Sequence, residues 1–70
     1  MQSKLIILMK ENGVTIRNLA SKIGISEKQM GSKLRGITEF KSSEMFKIAE
    51  LFNKTIEDIF LPSMYENGTK

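Results

Sequence analysis

The stretch from Gly13 to Gly36, GVTIRNLASKIGISEKQMGSKLRG, limits what this chain can fold into more than any other part of it. Ile16, Leu19, Ala20 and Ile23 recur at helical spacing and make one apolar stripe. Thr15 stands just before them, where its hydroxyl can accept from an otherwise unpaired first-turn amide. Gly24 follows the stripe and can end a helix in the left-handed conformation at little steric cost. Ile25 then fills the turn and Ser26 caps the next helix, whose inner face is marked by Met30 and Leu34 before Gly36 stops it. The expected product is two short helices joined by a tight, glycine-containing turn, which is the form of a helix-turn-helix.

The run Thr15-x-x-x-Leu19-Ala20-x-x-x-Gly24-Ile25-Ser26, followed by Met30 and Gly36, resembles the Cro and phage-repressor (Xre-type) helix-turn-helix DNA-binding proteins. The spacing of leucine, alanine, glycine and the following isoleucine is fairly specific, and the likeness continues weakly through Lys41 to Leu61. The resemblance implies an all-α, compact five-helix bundle of the lambda-repressor-like DNA-binding type, with helices 2 and 3 as the helix-turn-helix. It implies a transcriptional regulator, a Cro-like protein or small phage or prophage repressor, that binds double-stranded DNA. One departure stands out. The common pattern has an apolar residue three positions after Met30, where this chain has Lys33 and only then Leu34, which turns the second helix slightly. Ile16 also departs from the polar residue that many relatives carry near there, so one side-chain phosphate contact is lost.

Seventy residues allow a single domain, expected at 1–61 with a tail at 62–70 that is frayed or contributes to dimerisation. A chain this small buries only about 60% of its unfolded surface, so it gains from association. There is no cysteine and no histidine, which excludes disulfides and removes the commonest general base and metal ligand. The carboxylates lack metal-loop spacing and no glycine loop follows a strand. An enzyme, a cofactor, a metal and a small-molecule substrate are therefore not expected. The longest early apolar run, Leu5 to Met9, is too short to span a membrane and no cleavage region follows it. A cytoplasmic location is the expectation.

Charge is unevenly placed. Residues 1–41 carry eight Lys or Arg against three Glu, giving +5, while 42–70 carry three Lys against five acids, giving −2. A basic first half and an acidic second half point to one face turned toward a polyanion.

Along the chain, helix 1 is expected over Ser3 to Glu11 with Leu5, Leu8 and Met9 inward, and Asn12-Gly13 stops it. After Gly36 a loop runs to Lys41, with Phe40 plugging the core from it. Helix 4 is expected from about Ser43 to Phe52, capped by Ser42 or Ser43, with Met45, Ile48, Ala49 and Phe52 inward. Thr55 and Asp58 have the cap-and-acid spacing that opens a short fifth helix, and Pro62 ends regular helix by Leu61.

Placing successive residues of helix 3 about 100° apart turns Lys28, Ser32 and Arg35 away from the Met30–Leu34 face, with Gln29 at the border. Lysine and arginine can donate to guanine, glutamine can pair with adenine, and serine serves either base. The base-reading set is Glu27, Lys28, Gln29, Ser32 and Arg35 on a recognition helix of about 26–35. Glu27 either accepts from a cytosine amino group or complements the helix dipole, and Arg35 meets phosphate as readily as a base edge. Gly31 admits three readings: close approach to DNA, close approach to helix 2, or a tolerated accident. Thr15, Arg17 and Ser26 are the expected phosphate anchors at the two helix starts, joined by Lys33 and Lys41.

One such domain reads one half-site, so a homodimer on a palindromic operator is expected, with half-sites roughly 34 Å apart. Ile56, Phe60, Met64 and Tyr65 are the expected dimer residues. The alternative is a protein-interaction module, an antitoxin-like or adaptor helix-turn-helix domain that binds a protein through the acidic second half.

Overall fold

A computed structural model describes residues 1–60. Within them the chain forms α1 (Ser3–Glu11), α2 (Ile16–Ile23), α3 (Glu27–Leu34), α4 (Ser42–Phe52) and α5 (Ile56–Ile59), and no strand. The all-α, five-helix architecture is the one expected.

The first four helices each place one fully sealed side chain at the centre: Leu5, Leu19, Met30 and Ile48. Burying each contributes about 1.5–3 kcal/mol. Met9, Ala20, Ile23, Leu34, Ala49 and Ile59 surround them. Ile16 departs from the expected stripe. Leu19, Ala20 and Ile23 are buried, but Ile16 remains 42% exposed because α2 begins beyond the edge of the core.

Local chemistry sets the helix limits. The Thr15 hydroxyl accepts from the Asn18 amide at 3.1 Å, and Gly24 closes α2 at φ +85° with its amide returned to the Ala20 carbonyl. Thr55 and Asp58 form the expected reciprocal cap on α5, Asp58 N to Thr55 Oγ1 at 3.1 Å and Thr55 N to Asp58 Oδ2 at 3.3 Å. α4 differs: its cap position is Lys41, one residue before the two serines. Backbone at Lys41 is extended, and the Glu44 carboxylate accepts its amide at 2.9 Å, so the helix already includes Ser42.

Phe40 enters the core from the loop as expected and meets Phe60 edge to face, ring centroids 5.4 Å apart. That contact corrects one expected dimer residue. Phe60 is 7% exposed and belongs to the core, because the short α5 turns its end inward onto Phe40. Met64, Tyr65 and the expected 61/62 boundary lie outside the described residues.

Candidate nucleic-acid interface

α3 is held at both ends. At its start Ser26 and Gln29 cap each other: Ser26 Oγ accepts the Gln29 amide and Gln29 Oε1 accepts the Ser26 amide, both at 3.0 Å. At its end the Leu34 carbonyl takes the Gln2 amide at 2.9 Å, tying the beginning of the chain to α3. Between these fixings Met30 and Leu34 are buried, while Glu27, Lys28, Gln29 and Arg35 are exposed and Ser32 is half-buried. The side chains expected to read bases thus share a helix whose apolar side is anchored in the core.

Lys33 is a correction. Expected as a phosphate anchor, it is 8% exposed. Its ammonium donates to the Glu39 carbonyl at 2.9 Å, lies 3.1 Å from Glu44 Oε1 and stands 5.7 Å from the centre of the Phe40 ring. The position that family likeness marks as apolar is therefore buried here too, its charge matched from α4 and its stem packed like an aliphatic chain. Burial pushes the Glu44 carboxyl up. The Lys41 amide, the Lys33 hydrogen bond and the charges of Lys33 and Lys41 outweigh this and hold it below its ordinary value.

A groove separates the start of α2 from the outer face of α3. Thr15 and Arg17 line it from α2, and Glu27, Lys28 and Arg35 from α3. Two of the expected phosphate anchors and three of the expected base readers therefore face one opening, while Ser26, Gln29 and Ser32 do not line it. Arg17 Nε and Glu27 Oε2 lie 2.8 Å apart across it, both exposed, so water screens the pair and its contribution is small. Of the first-turn amides of α2, that of Asn18 is taken by the Thr15 hydroxyl, while those of Ile16 and Arg17 lie at the positive end of the helix dipole. Ile16 and Gly31 complete the groove's lining. Neither belongs to the expected site; the signals in the sequence were the isoleucine at a position many relatives keep polar and the mid-helix glycine, one of whose readings was close approach to DNA. Lys41 is exposed at the start of α4 and does not line this groove.

No helix among the described residues is long and apolar enough to cross a membrane. Compared with known families, residues 4–61 match the Cro/C1-type HTH DNA-binding domain. Searches of curated proteins and of solved structures return no match.

Proposed function

The chain belongs to the Cro/C1-type HTH DNA-binding domain family, and from that premise we propose a sequence-specific transcriptional regulator of the Cro or small phage-repressor kind, acting in the cytoplasm without catalysis. The carrying observation is the joint groove, which Thr15 and Arg17 at the start of α2 share with Glu27, Lys28 and Arg35 of the α3 segment. α3 enters the major groove with Lys28 and Gln29 leading, while Thr15, Arg17 and Ser26 hold phosphates and Lys41 adds a more distant one. Each domain takes one half-site, and a second copy completes a palindrome. Of the residues expected to meet that copy, Ile56 is the one that is described and not buried. Exposed Phe46 lines the same groove as Ile56 and widens the apolar area there.

Selection of bound duplexes from a random pool tests this reading. Enrichment of an inverted repeat with half-sites about one turn apart is the expected result. A protein that recovers no sequence preference, and whose binding to random duplex does not weaken with salt, is instead the antitoxin-like or adaptor module, a reading favoured by the exposure of Phe46.

A further inference from the structure

Ile16 opens α2 with two-fifths of its surface in water, inside a groove whose charged rim has three cations, Arg17, Lys28 and Arg35, against one carboxylate, Glu27. Gly31 faces the same groove from α3 and raises a separate question. It is helical, so no unusual backbone angle requires glycine. An added Cβ would meet only the tip of the Arg35 side chain, Nη1 at 3.8 Å, an ordinary contact. Close packing on α2 is therefore not the reason for glycine, which makes a mid-helix position less stable than alanine would. Among the described residues, nothing uses the missing methyl.

Together the two residues form an apolar notch, with Thr15, Arg17, Glu27, Lys28 and Arg35 around it, a rim of net positive charge. Such a notch complements an apolar group carried on a polyanion. Among the base-edge groups in the major groove of duplex DNA, the apolar one is the thymine C5-methyl. We infer that Ile16 and Gly31 form a receptor for a thymine methyl, which makes Ile16 a specificity-determining residue placed on α2. This rests on the DNA-reading function above. The methyl sits against the isoleucine side chain, and Gly31 leaves the space a Cβ would fill. A cytosine at that position presents no methyl to fill the notch, so this contact is lost.

The test begins with the operator recovered by selection. Each thymine is replaced in turn by deoxyuridine, which pairs identically and lacks only the methyl. At one thymine per half-site the replacement should weaken binding about fourfold, as expected for losing one buried methyl. Ile16→Ser should lose the same factor on the thymine operator and become indifferent to deoxyuridine there, with thermal unfolding confirming that it folds. Gly31→Ala should melt higher than the parent and still lose the thymine preference at that position. An operator in which no thymine responds, or a response unchanged in Ile16→Ser, overturns this inference and leaves the DNA reading standing. If no sequence is enriched at all, both fall together.

Discussion

Lys33 Nζ lies 3.1 Å from Glu44 Oε1, and the two side chains are only 10% and 9% exposed, so an ion pair inside the protein ties α3 to α4. Removing one partner leaves an unmatched buried charge. Lys33→Ala should therefore lower stability by about 3–5 kcal/mol in urea unfolding. Lys33→Leu combined with Glu44→Gln keeps an acceptor for the Lys41 amide and should recover most of that loss. Recovery no better than the single variant would show that the charges themselves are needed.

The same pair sets the acid limit. The Glu44 carboxyl is held below its ordinary 4.5 in the folded protein. Its stabilising contribution is thus complete above that value and lost as pH falls through the folded one. Asp58, lowered by the hydroxyl and amide of Thr55, acts in the same direction. Stability should be level from neutral to about pH 5 and decline below it. Glu44→Gln should show a shallower decline, and an equal one would remove Glu44 from the account.

Two glycines should respond oppositely to alanine. Gly31→Ala should stabilise by about 0.5–1 kcal/mol, since the backbone is helical and the space is open. Gly24→Ala should destabilise by about 1–2 kcal/mol, because φ there is +85°. Thermal unfolding of the two variants measures both.

Binding variants should separate by their dependence on salt. Lys28→Ala should cost about 1–3 kcal/mol on the preferred operator and relax its sequence preference. Arg17→Ala should weaken every duplex alike and reduce the salt slope by about one. Lys33→Met, by contrast, should leave the slope of the folded protein unchanged, since its ammonium is enclosed. Equal losses on specific and random DNA for all three variants would defeat the assignment of roles.

What could be read from residues alone followed from how local the cause was. α1 and α2 have the expected limits because Thr15, Gly24 and Asn12-Gly13 act within a turn of where they sit. Phe40 was legible as a lone aromatic in a polar loop. Lys33 was not, because a lysine one place before Leu34 reads as surface until Glu44, on another helix, is brought beside it. Phe60 was misplaced for the same reason, its partner being a ring from the loop. At α4 two good capping serines concealed a start set by Glu44 reaching back to the Lys41 amide. The exposure of Ile16 depends on where the core ends, which periodicity does not report.

The mutual cap of Ser26 and Gln29 has a consequence for the alphabet this helix can read. A glutamine whose oxygen already holds a backbone amide offers partners its NH2 group and one remaining lone pair on that oxygen. Its amide plane is fixed by the helix start, so a base must come to the glutamine in the orientation that this plane dictates. Gln29 is in this sense a reader with its wrist held, and the bases it accepts are set by the hold.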